Sequence, residues 1–197
     1  VAPDWLHLRI DWPDLRLILK IGLPSVVQQS LVSIGMLFVI GLVNHYGENA
    51  TAAFGAAMRI DQIAFLPAMT FNAAVSTMVG QNLGAGRPQR VKDIFKWAVV
   101  ICCAITAFVS IFALTAPQLL LRMFVDDAAV MRLGIAYLHV AAFAYLFFAV
   151  MFIANGVING AGHTMITTVI TLVSLWIARV PLAVYLSNRM HRVEGIW

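Results

Sequence analysis

Four long stretches of this chain contain no charged residue: Ile21–Gly47, Gln62–Gly86, Trp97–Leu121 and Leu133–Ala178, with 27, 25, 25 and 46 residues. A helix needs roughly 20 mostly apolar residues to cross ~30 Å of hydrocarbon. Windows this long and this empty of charge predict lipid-immersed helices. The composition points the same way: 61% of residues are hydrophobic and 11% are charged, against about 25% charged in a typical soluble domain. Mean hydropathy is +0.88. The competing reading, a soluble bundle with a very apolar core, requires charge at closer intervals than this sequence supplies.

The formal charge of +4 belongs to basic residues flanking the apolar spans, so it signals membrane orientation and not nucleic-acid binding. The two cysteines, Cys102 and Cys103, are adjacent within an apolar span. That placement fits small buried residues better than a disulfide framework or a metal site. Residues 1–20 mix Trp, Asp, Arg and His, unlike a cleavable leader. They read as a cytoplasmic interfacial helix or a linker leading into the first span. The start at Val1 and the stop at Trp197 lead us to expect neighbouring sequence beyond both ends.

The 46-residue stretch must be two spans, because a single helix of that length would extend ~69 Å, more than twice the hydrocarbon thickness. The glycines and asparagines of Asn155–Thr164 place the expected turn there. Five spans result, at about 21–43, 50–80, 97–115, 133–154 and 165–186, with the tail His191–Trp197 as the approach to a sixth. Seven Lys and Arg (Arg9, Arg16, Lys20, Arg87, Arg90, Lys92, Lys96) fall on one side and four (Arg122, Arg132, Arg189, Arg192) on the other. The chain start and the 81–96 turn are therefore expected in the cytoplasm.

Charged groups inside a bilayer are costly and normally face a bundle interior or a wet cavity. Arg59, Asp61 and Arg179 are the three to explain. Arg59 and Asp61 are two residues apart, so they must point at different partners. Asp61, Phe65, Ala68, Asn72 and Ser76 share one helical stripe, and Pro67 within it removes a backbone bond and serves as a candidate hinge. Such a stripe either lines a cavity or hydrogen-bonds across a packed helix interface. Arg179, just before Pro181, is either a fixed charge in a translocation path or a snorkelling or ion-paired group. Gln28, Gln29 and Ser33 in the first span carry the same ambiguity. Thr164, Thr168 and Thr171 suit close helix packing, and His139 suits an interhelical hydrogen bond or proton handling. Gly84-Ala85-Gly86 lacks the strand before it and the Gly-Lys-Ser/Thr after it that a phosphate loop needs. The parallel runs Gly84–Arg87 and Gly160–His163 are either a faint repeat or two independent tight turns. No Ser/His/Asp set, paired carboxylates or metal-ligand spacing is present, so an enzyme is not expected.

Two runs carry a family resemblance: Arg59-Ile60-Asp61-Gln62-Ile63-Ala64-Phe65-Leu66-Pro67, and Val79-Gly80-Gln81-Asn82-Leu83-Gly84-Ala85-Gly86-Arg87-Pro88. With Ile21-Gly22-Leu23-Pro24-Ser25, the Asn155–Thr164 turn and Trp176–Pro181, the chain resembles the multidrug and toxic compound extrusion (MATE) transporters from about residue 15 onward. The resemblance implies an all-α integral membrane fold of twelve helices in two lobes. This chain would supply helices 7–11, with residues 21–197 an incomplete second lobe whose partner is a missing first lobe. It also implies export of small cationic amphiphilic drugs or metabolites across the cell membrane in exchange for H⁺ or Na⁺, with no other cofactor. Some members carry a coupling carboxylate in helix seven; span 21–43 has no acid and departs from them. Met36, Phe38, Phe65, Met69 and Phe71 are then candidate cavity walls, with Asp61, Asn72, Ser76, Gln28, Gln29 and Arg179 as pathway candidates. A lipid-precursor flippase of similar architecture and a non-transporting membrane module are the alternatives.

Overall fold

The computed structural model describes residues 11–190, and these are helical apart from short turns. The helices are α1 (Trp12–Asn44), α2 (Glu48–Gly84), α3 (Gln89–Thr115), the short α4 (Pro117–Arg122), α5 (Ala128–Gly160), α6 (Thr164–Leu172) and α7 (Val180–Met190). A π-helical segment, Val173–Arg179, joins α6 to α7. Five of the resulting rods are long and apolar enough to cross a membrane. Residues 1–10 of the expected interfacial segment, and the tail 191–197 read as the approach to a sixth span, lie outside the described residues.

Each rod begins and ends for a local reason. Pro13 occupies the first turn of α1, where its missing N–H costs nothing. The Asp127 carboxylate caps α5, accepting from the N–H groups of Ala129 (2.8 Å) and Val130 (3.0 Å). The two Gly-Ala-Gly runs end α2 and α5 with one and the same hydrogen-bond pattern. Gly86 N–H donates to Leu83 O and Arg87 N–H to Asn82 O; Gly162 N–H donates to Asn159 O and His163 N–H to Ile158 O. Gly86 (φ 67°) and Gly162 (φ 83°) are left-handed, the conformation this helix-ending motif requires. The apparent repeat is thus one capping device used twice.

The turn expected over Asn155–Thr164 is much shorter than the sequence suggests. The α5 helix runs on to Gly160, and only residues 161–163 separate it from α6. Gly156 and Gly160 act as contact glycines. A Cβ built on Gly156 would lie 2.7 Å from the Asn72 carbonyl oxygen, and one on Gly160 would press still harder on that of Ser76. Lipid tails are as apolar as the side chains, so helices in a bilayer associate through close packing, which small residues permit. The facing side of α2 obliges with buried Ala53, Ala57, Ala64 and Ala68.

α2, α3 and α5 consequently form a tight bundle, with α2 against α5 its most extensive contact. Its interior is filled by Val75, Val79, Ala98, Cys102, Ala149 and Ile153 toward one end; toward the other, Phe54, Ile60 and Leu138 pack with Val39 and Val43 of α1 and Leu121 of α4. α1 packs mainly on α6, and this pair leans on the bundle more loosely. Pro24, Pro67 and Pro181 all lie within helical stretches. α2 passes Pro67 without a break. The π segment stands just ahead of Pro181, whose ring removes one rung of the ladder.

Candidate functional site

A well-walled cavity lies on the seam between the bundle and the α1–α6–α7 side. Its volume is about 450 Å³, and its walls include Val39, Phe54, Asp61, Phe65, Tyr137, Tyr145, Phe148, Phe152, Ser174 and Arg179. Asp61 is its chemical centre. The carboxylate is half-buried and accepts two hydroxyl hydrogen bonds from α5, one from Tyr137 and one from Tyr145 at 2.5 Å. Such bonds to a charged acceptor are about twice as strong as neutral ones. They hold the carboxylate on the α2–α5 contact while leaving it at the cavity wall. Phe65 stacks edge-on against Tyr145 (5.6 Å between centroids) and Phe148 (5.2 Å), which extends an aromatic wall from the acid.

The structure divides the residues singled out from the sequence. Asp61, Phe65 and Arg179 come together at this cavity, with Arg179 close enough to act on the Asp61 charge through space. Arg59 points elsewhere, as its spacing requires, and lies 5.6 Å from the Phe124 ring centroid. Gln28, Met69 and Asn72 line a second cavity of about 240 Å³ with Phe152, Asn155, Asn159 and Thr167. Ser76 meets Gly160 in the helix contact. The Gln29 main-chain carbonyl accepts from the Ser33 hydroxyl at 3.0 Å, and both residues are exposed. Met36 packs on the core, Phe38 stacks edge-on on Trp176 at 5.8 Å, and Phe71 faces a groove between α2 and α3. The Asp61 stripe therefore does both things open to it: its line of residues faces α5, Asp61 and Asn72 reach cavities at the margins of that contact, and Ser76 stays within it. Thr168 is buried, as a packing threonine should be. His139 lies on the exposed face of α5 with no hydrogen-bond partner among the described residues, in place of the interhelical bond expected of it.

Tyr137 and Tyr145, the partners of Asp61, are not among the residues the sequence singles out. A signal exists: Tyr137, Ala141, Tyr145, Phe148 and Phe152 recur at helical spacing in a charge-free span. That pattern gives a face of α5 but not which helix it meets. Asn155 and Asn159, turn residues by composition, become cavity residues through the extra length of α5.

Five helices long and apolar enough to cross a membrane, with a carboxylate at a cavity wall among them, fit a multi-pass membrane protein. The MatE family model matches residues 24–185. The chain belongs to this family of transporters, the multidrug and toxic compound extrusion proteins, and it is not an enzyme. It is 34% identical over 170 residues to the probable multidrug resistance protein YpnP of Bacillus subtilis, covering 86% of this chain and 38% of that protein. It is 25% identical to the probable multidrug resistance protein NorM of Thermotoga maritima, covering 87% of this chain and 37% of that one. A crystal structure of MATE in the straight conformation superposes with a TM-score of 0.84 at 21% identity, over 100% of this chain and 44% of the other, which establishes the fold. The chain thus spans about two fifths of the length of the relatives it matches.

Proposed function

We propose that the complete protein is an antiporter that exports cationic, amphiphilic drugs or metabolites in exchange for H⁺ or Na⁺, with this chain supplying helices 7–11 as an incomplete second lobe. The observation that carries the reading is Asp61 at the wall of an aromatic cavity. A single carboxylate attracts a cation. The ring faces of Phe65, Phe148 and Phe152 then hold its apolar body and contribute cation–π attraction. Arg179 on the same cavity competes with the substrate for the Asp61 charge, so a bound cation can be released when the two walls approach. Transport follows if the two lobes rock about a central cavity that opens to the cytoplasm and then to the outside. The chain start and the 81–96 turn lie on the cytoplasmic side in this scheme. One arginine beside one carboxylate suits cationic cargo better than the acidic headgroup a lipid-precursor flippase would carry.

The test is dye retention in cells expressing the complete protein. Wild-type protein should lower the accumulation of a fluorescent lipophilic cation several-fold, and Asp61→Asn should abolish the difference at equal expression. Asp61→Asn exporting as well as wild type, or a broad dye panel showing no effect, would refute the reading. The five helices alone should move no substrate, because they have no second lobe to rock against.

A further inference from the structure

The second cavity is chemically unlike the first. Four amide side chains from three helices converge on it: Gln28 from α1, Asn72 from α2, and Asn155 and Asn159 from α5. Thr167 of α6 and the rim of Phe152 complete it, and no charged residue lines it. Phe152 also borders the Asp61 cavity, so the two adjoin at this ring. At 1.5 Å per helical residue, Asn72 sits roughly 16 Å along α2 from Asp61. Amides at this depth within apolar spans are costly unless something satisfies them.

The amides are only half satisfied by protein. Asn72 Nδ2 donates to Phe152 O at 2.6 Å, which leaves its carbonyl oxygen toward the cavity. The Thr167 hydroxyl donates to Asn159 Oδ1 (2.7 Å), and the Thr168 hydroxyl to Gln28 Oε1 (3.2 Å). Both hydroxyls also lie within bonding distance of Thr164 O, at 2.8 and 2.9 Å. A hydroxyl carries one proton and can also accept. Each threonine can therefore give its proton to Thr164 O and take an N–H from a turned amide with no bond lost. Gln28 and Asn159 are thus held at one end and can present either C=O or N–H to the cavity. Asn155 has no hydrogen-bond partner among the described residues.

We infer that this amide cavity is a subsite for an uncharged, flat hydrogen-bonding group of the transported molecule: a carboxamide, urea or ring imide. Neutral amides with both donors and acceptors match groups of that class, and they offer no compensation to a second charge. The Phe152 ring and the Met69 thioether supply polarisable walls for the plane. The inference rests on the export reading and deepens it, by assigning the cation to the Asp61 end of the seam and the neutral polar end to the amides.

A matched pair of substrates tests it. 1-Decylpyridinium and 1-decyl-3-carbamoylpyridinium carry the same charge and chain and differ by one carboxamide. In vesicles containing the complete protein, the carboxamide compound should show a KM lower by about 5–10-fold, the worth of one or two net hydrogen bonds. Asn155→Ala, whose side chain has no protein bond to lose, and Asn159→Ala should each reduce that ratio toward 1. Equal KM values for the two cations in wild type, or a preference that survives both substitutions, overturns the subsite while leaving export intact. If neither cation is transported, the export reading fails and the subsite fails with it.

Discussion

Gly160→Ala puts the α2–α5 contact to a direct test. The added methyl would lie 2.9 Å from Val79 Cβ and 3.0 Å from Ser76 Cα, and closer still to Ser76 O. All three approaches fall at least ~0.5 Å inside the range at which nonbonded atoms attract. Two of the three atoms belong to the α2 backbone and cannot swing aside, so the helices must separate. Overpacking of this kind costs about 1–3 kcal/mol, and the rigid neighbours argue for the upper end. Alanine recovers up to ~1 kcal/mol through helix propensity, which leaves a net loss of about 2 kcal/mol. For a domain of this size that corresponds to a melting point lower by about 4–8 °C. Gly55 lies in α2 with nothing within 4 Å of an added methyl, so Gly55→Ala should gain ~1 kcal/mol from propensity alone. The assay is thermal unfolding of the complete protein in detergent, followed by the loss of helical circular dichroism. Gly156→Ala, with its closest approach at 2.7 Å, should fall between the two. A Gly160→Ala protein melting at or above Gly55→Ala would refute the backbone contact.

Three further outcomes follow from named bonds. Tyr145→Phe removes a hydroxyl from a carboxylate and should cost about 1.5–3 kcal/mol; in an Asp61→Asn background it should cost visibly less, a coupling that a double-mutant cycle in thermal unfolding measures. Ser110→Ala deletes a buried bond to Ala142 O at 2.6 Å and should lose ~1 kcal/mol, whereas Ser33→Ala, on an exposed bond within its own helix, should leave the melting point unmoved. Gly162→Ala forces a side chain into left-handed backbone at about 1–2 kcal/mol, and limited proteolysis should show faster cleavage in the 161–163 turn.

The five spans are legible in the sequence because charge exclusion over a bilayer's thickness is a one-dimensional signal. Asp61 stands out for the same reason, and its stripe is correct as a helical face. What one dimension lacks is rotation: nothing in the order of residues tells which face of α5 meets α2, so Tyr137 and Tyr145 cannot be matched to Asp61 from spacing alone. The largest difference, at 155–164, arises from treating glycine and asparagine as helix breakers. In water they are, because the exposed backbone finds solvent. Within a packed bundle the same glycines let two backbones touch and the same asparagines find cavities, so α5 runs on for six residues that composition alone assigns to a loop. Thr167, outside the threonine stripe read from the sequence, is the α6 residue that lines the amide cavity.

The glycine contact between α2 and α5 has a mechanical corollary. Asp61 and its two tyrosines ride on rods pressed backbone to backbone, whereas Arg179 is carried by the helix that rests on them more loosely. A movement of the α6–α7 side against the α2–α5 pair would change the spacing between the opposite charges, and the close α2–α5 contact would keep the tyrosine bonds intact. The acid and the guanidinium would then act as a strain gauge, in which a tilt of one helix pair becomes a change of potential at the cavity wall.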